Sequence, residues 1–166
     1  LVTRDGRLRR WDGFVARGLV AKRAGVGRLP AALGAGFAGR LDRTGWLSVE
    51  LFDAEAASVS RLQLLNGANA AAVRSGSGAW EVLQFETAEE VAAQTWRLSG
   101  LLRGQLGTTD AMAAGAPAGA DFVMLDDAVA PAGLLSSEAG LSLNWRVGPS
   151  SLDFSADNFV QASEVG

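Results

Sequence analysis

The sequence predicts a mainly β protein, an antiparallel sandwich or partly closed barrel with one or two short helices. Three observations lead there. Several segments alternate apolar and polar residues with a period of two, turn-forming pairs separate them, and the segments recur at spacings near ten residues, too close for crossover helices.

Leu47-Ser48-Val49-Glu50-Leu51 and Leu141-Ser142-Leu143-Asn144-Trp145-Arg146-Val147 alternate cleanly and read as half-buried strands. Trp80-Glu81-Val82-Leu83-Gln84-Phe85-Glu86 and Asp121-Phe122-Val123-Met124-Leu125-Asp126 are short apolar runs bounded by charge, glycine and alanine, a length that suits strands. Asp12-Gly13 and Asn66-Gly67 supply the left-handed backbone of tight hairpins, and Ser75-Gly76-Ser77-Gly78 can join 70–74 to the Trp80 strand. Helix is expected in two places. Thr87–Gln94 offers Thr87 as a cap with Glu90 closing a capping box, and Thr109–Ala114 gives a short turn ended by Gly115. Residues 18–40, rich in glycine and alanine, are expected to form a linker or surface arm.

The 166 residues suit one domain, and a 48% hydrophobic content is ample for a core. No apolar run approaches the roughly 20 residues of a membrane-spanning helix. Cysteine, histidine and tyrosine are absent, which removes thiolate metal sites, the commonest zinc ligand and any Ser-His-Asp or Cys-His arrangement within the chain. On this inventory the chain is expected not to be an enzyme and to use no cofactor or metal. Charge is uneven: residues 1–43 hold ten Lys/Arg and three Asp/Glu, a balance of +7, whereas 44–166 hold five and fifteen, a balance of -10. Such asymmetry implies either that the two parts dock on each other or that one of them faces an oppositely charged neighbour. With a pI of about 5.0 and no aromatics among Arg7, Arg9 and Arg10, specific nucleic-acid binding is not expected.

Gly34-Ala35-Gly36-Phe37-Ala38-Gly39 is a literal G-x-G-x-x-G, but the turn-like Arg40–Gly45 follows where the phosphate-binding motif needs a helix. Asp126-Asp127 with Asp121 could supply oxygen ligands, yet adjacent strand residues diverge, so a solvated strand end is the better reading. Glu81 and Glu86 are likewise expected to diverge. Of the five tryptophans, at least three are expected in the core. Trp11, flanked by Arg10 and Asp12, is the best candidate for exposure, and with Trp46 it is a possible glycan contact.

The stretch Trp96-Arg97-Leu98-Ser99-Gly100-Leu101-Leu102-Arg103-Gly104-Gln105-Leu106-Gly107-Thr108-Thr109 has a specific form, W-x-L-S-x-L-L-R-G-x-x-G-T. It resembles a region of the large tail-tip hub proteins of gene transfer agents and related long-tailed phages, a family that includes the "megatron" baseplate component. Trp80–Phe85, Gly119–Asp126, Leu65–Ala71 and Arg9–Phe14 are similar to that family as well, so the likeness touches about half the chain. It implies a structural module at the tail tip or baseplate of a virion. The expected partners are other tail and baseplate proteins, with a homotrimer around the tail axis, and a host-surface glycan is the alternative partner. In this reading 1–166 is one β-rich module of a longer polypeptide, with 1–17 and 150–166 as displaced strands pairing onto a 41–148 core, because the charged helical segment that the resemblance leads one to expect before Pro30 is missing or very short here.

The string has a physical reading of its own. Trp96, Leu98 and Gly100 are expected on one strand face and Arg97, Ser99 and Leu101 on the other. Arg103-Gly104 and Gly107 then bend the chain, with Arg103 placed to anchor a loop on backbone carbonyls or a carboxylate. Trp96, Arg97, Arg103, Gly104 and Gly107 are thus the expected structural residues.

Overall fold

In a computed structural model, residues 10–11, 14–15, 23–129, 131, 133–149, 151–152 and 157–165 are described. Their contacts divide the chain into two compact units, 22–129 on one hand and 1–21 with 130–166 on the other, where the sequence suggested one module.

Among the described residues, the second of these holds two small antiparallel ribbons. Strands β1 (Arg10–Trp11) and β2 (Phe14–Val15) pair Trp11 with Phe14. Asp12-Gly13 and the side chain of Trp11 lie outside the described residues. The other ribbon belongs to the C-terminal part and is described after the barrel.

Unit 22–129 is a closed barrel of six strands. In chain order these are β3 (Val26–Arg28), β4 (Asp42–Phe52), β5 (Ala70–Arg74), β6 (Trp80–Ala92), β7 (Thr95–Gln105) and β8 (Asp121–Met124), and around the barrel the order is β3-β4-β7-β6-β5-β8, every pairing antiparallel. Helix α1 (Arg61–Leu65) lies between β4 and β5, and α2 (Thr109–Ala114) between β7 and β8. The sequence expectation of a mainly β antiparallel fold with one or two short helices is realised, as a barrel that closes fully.

Alternation fills the interior. Leu47, Val49 and Leu51 of β4, Leu83 and Phe85 of β6, and Leu98 and Leu101 of β7 form the core with Val73 and Phe122. Leu98 and Leu101 stand an odd number of positions apart, so strict alternation would turn one of them outward. Between them Gly100 has φ 65°, a left-handed step that resets the pleat and lets both point inward. The expected two-face division of Trp96–Leu101 therefore holds only as far as Ser99.

Four expectations are corrected. Thr87–Gln94 is not a helix: β6 continues to Ala92 because β7 offers partners along its length, Thr87 to Ser99 and Glu89 to Arg97, and pairing overrides a short local capping pattern. The capping box occurs instead at α1, where Ser60 caps and Gln63 answers it, and Asn66-Gly67 ends that helix rather than turning a hairpin. Residues 18–40 are not simply an arm, since β3 closes the barrel and Leu29 and Leu33 are buried. The strand escaped notice because it is three residues long and centred on Gly27, where a Cβ would stand 2.2 Å from the Glu50 carbonyl oxygen. The expectation of at least three core tryptophans fails: among the described ones none is fully buried, and Trp96 alone packs against the barrel core from a partly exposed position. A six-stranded barrel is narrow, and aliphatic side chains with two phenylalanines fill it.

In the C-terminal part, β9 (Ser142–Val147) pairs antiparallel with β10 (Val160–Val165), with Trp145 opposite Ala162 and Val147 opposite Val160. Across the pair, Ser163 donates its hydroxyl to the Asn144 side-chain oxygen at 2.7 Å.

Candidate functional site

The string from Trp96 to Thr109 runs along β7 into α2, and its centre is an ion pair inside the barrel unit. Arg103 is 2% exposed and Glu81 1%. The Arg103 guanidinium meets the Glu81 carboxylate in bidentate fashion, Nε donating to Oε1 at 2.5 Å and an Nη to Oε2 at 2.8 Å. The same Nη donates to the Gly34 carbonyl at 3.2 Å, and the Gly104 N–H donates to Glu81 Oε1 at 3.2 Å. Each group thus has partners beyond the other, which is what a charge removed from water requires.

The backbone is shaped to allow this. Gly104 has φ 60°, and a Cβ there would meet Met112 Sδ at 3.2 Å and the Thr109 Cα at 3.3 Å, so glycine serves both conformation and close packing of α2. Gly107 has φ 81° with open space around it, so its role is the turn alone. Gly36 lets the 34–39 loop lie on the Arg103 side chain, since a Cβ would meet the guanidinium at 3.0 Å. Leu33 and Ala116 exchange backbone hydrogen bonds at 2.8 Å, fixing the same loop. The G-x-G-x-x-G stretch is therefore a strap held by arginine, and strand β4, not a helix, follows it. Where the loop enters β4, Asp42 accepts from the N–H groups of Gly45 at 2.8 Å and Thr44 at 3.0 Å, and these bonds, Gly45 first, hold its carboxyl below the ordinary 3.8.

The remaining expected residues do not join this cluster. Trp96 faces the core side of β7, opposite Val49 and Glu90, and with Asp53, Ala54, Glu55, Glu90 and Gln94 lines an open depression of about 400 Å³. Arg97 and Trp46 are on the outer face. Trp46 is 52% exposed, and the Arg97 guanidinium lies 5.1 Å from its ring centroid while reaching Glu89 at 3.8 Å. Asp126 accepts the Ala128 N–H at 2.9 Å, closing a turn, and Asp121 pairs with Arg28 at 3.6 Å. Glu86 is gripped by Arg61 of α1 at 2.7 and 3.0 Å, which holds its carboxyl below the ordinary 4.5.

Sequence reasoning placed Arg103 as an anchor and missed its partner. The signal was present, since Glu81 occupies the inward parity of a strand whose next inward positions are Leu83 and Phe85. A carboxylate there must be paired.

The glycines and the arginine that build the clamp fall inside one matched span: the family model described as Rcc01698-like, C-terminal matches residues 24–123. This chain belongs to the Rcc01698-like, C-terminal family. The matched span begins two residues before β3 and ends within β8, so the family's unit coincides with the closed barrel. No curated protein matches the chain.

Proposed function

We propose that this chain is a structural module of a tail-tip or baseplate hub in a phage-like particle, acting in particle assembly and in host attachment or DNA delivery, and that it is not an enzyme. One observation carries the reading. The string by which the chain resembles tail-tip hub proteins is folded into a buried clamp: the Arg103 guanidinium and the Glu81 carboxylate are buried, Arg103 Nε and one Nη bond Glu81 and the Gly34 carbonyl, and Glu81 also accepts the Gly104 N–H. Such a constellation stiffens a domain and offers no group to a substrate.

In this reading the partners are other tail and baseplate proteins, three copies surround the tail axis, and the location is the virion tail tip. Cryo-electron microscopy of the particles is the test. Density for this barrel at the tail end is expected, and particles whose tail tip lacks it overturn the proposal. Among the described residues no helix is long and apolar enough to cross a membrane. A second reading, a carbohydrate-binding module meeting the host surface, is favoured by the exposure of Trp46 on the barrel wall.

A further inference from the structure

The outer face of the sheet formed by β4, β7 and β6 carries a small ordered array. Trp46 stands opposite Ser99, which stands opposite Thr87; one pleat along, Ser48 stands opposite Arg97, which stands opposite Glu89. These six side chains share one face by register, since Leu47, Val49 and Leu98 between them point into the core. Neighbouring strands are about 4.8 Å apart and same-face residues about 7 Å apart along a strand, so the array covers about 10 by 7 Å, the footprint of one or two pyranose rings.

From this array we infer a binding site for a neutral polysaccharide, with Trp46 as the stacking plane. A half-exposed indole on a flat sheet face offers an apolar surface to the C–H face of a sugar ring. Around it are three hydroxyls, from Ser48, Ser99 and Thr87, and one Arg-carboxylate pair, a set of donors and acceptors suited to sugar hydroxyls. Charge selects among polymers. Arg97 and Glu89 neutralise each other at 3.8 Å, so these six residues carry no net charge, and exposed Glu50, next along the same outer face of β4, disfavours an anionic chain. One aromatic ring amid polar groups is also too small an apolar patch for a stable protein interface, which needs a contiguous core. Arg97 has a second task, because its guanidinium 5.1 Å from the indole centroid limits the orientations Trp46 can take. Trp80, 37% exposed beside Arg74 at the start of β6, lacks this flanking set and serves as the internal control.

The inference deepens the second reading above and leaves the assembly reading standing whatever its fate. The full chain is run in native gels cast with dextran, a mannan, a galactan or alginate, and in parallel the Trp46→Ala, Arg97→Ala and Trp80→Ala variants are run after their melting curves establish folding. Retardation by at least one neutral polymer is expected, weakened at least about tenfold by Trp46→Ala and severalfold by Arg97→Ala, and unchanged by Trp80→Ala. Two results each overturn it: no retardation in any neutral gel, whether or not alginate retards the chain, or neutral-polymer retardation that survives Trp46→Ala. Retardation that survives Trp46→Ala leaves the wider glycan reading alive at another place on the chain, whereas flat behaviour in every gel removes both.

Discussion

Replacing Glu81 by glutamine tests the clamp most directly. The amide keeps the shape of the carboxylate but removes its charge, leaving the Arg103 guanidinium 2% exposed with only the Gly34 carbonyl and amide dipoles for company. Removing one partner of a buried ion pair costs about 3–5 kcal/mol. For a domain of roughly 100 residues each kcal/mol moves the melting temperature by about 4–8 °C, so a fall on the order of 15 °C or more is expected. Glu81→Leu combined with Arg103→Met separates charge from packing. With neither ion present, the desolvation cost vanishes, and the double variant should recover most of the loss, short by about 1–3 kcal/mol for each backbone group, Gly34 C=O and Gly104 N–H, left without a partner. Urea and thermal unfolding of the full chain, followed by tryptophan fluorescence and far-ultraviolet circular dichroism, give the four corners of the cycle. A Glu81→Gln variant within about 1 kcal/mol of the parent, or a double variant no better than the sum of its singles, refutes the reasoning.

The clamp's glycines should rank by surroundings: Gly104→Ala strains a positive φ and presses on Met112 and Thr109, whereas Gly107→Ala strains only φ, so unfolding should show a loss of about 1–3 kcal/mol for the first and about 1 kcal/mol for the second. Gly27→Ala should be worse than either in the same measurement, because the obstacle is the Glu50 carbonyl of the paired strand at 2.2 Å and the barrel must open to relieve it. Stability should fall on acidification. Asp42 and Glu86 both have folded-state carboxyls held below their ordinary 3.8 and 4.5, so their contributions are complete above those values and are lost as pH drops through the lower folded ones. Melting temperatures taken from pH 6 to pH 2 should show a smaller drop for Asp42→Asn than for the parent; an identical pH profile would contradict the assignment.

Legibility followed the length and regularity of the elements. β4 and β9 were readable because each repeats the apolar-polar alternation, β6 and β8 because each is a short apolar run bounded by charge, and the Ser75–Gly78 connection because its turn chemistry is local. The Thr87–Gln94 error had the opposite cause: caps and propensities are local, while β6 runs to Ala92 on the strength of a partner strand that single-segment reasoning does not see. β3 was invisible because its essential residue is a glycine chosen for the absence of a side chain. At the site, Arg103 could be placed since an arginine between bends asks for an acceptor, yet Glu81 and the Gly34 carbonyl are 22 and 69 positions away, and such pairings leave no periodic trace. The outer array shows the same limit. Trp46 was recognisable as a surface contact, whereas Arg97 and Glu89 become its neighbours only through the register of three strands.

The seam between β3 and β8 joins Arg28 to Asp121, so the last stave of the barrel is also the last to be synthesised. Until Asp121–Met124 has been made the other five strands form an incomplete sheet, and ring closure must bring together parts of the chain more than ninety positions apart. Long-range closure of this kind slows folding. A polypeptide stopped before Asp121 would leave β3 and β5 without their shared neighbour, and the span matched by the family model, 24–123, takes in both sides of that seam.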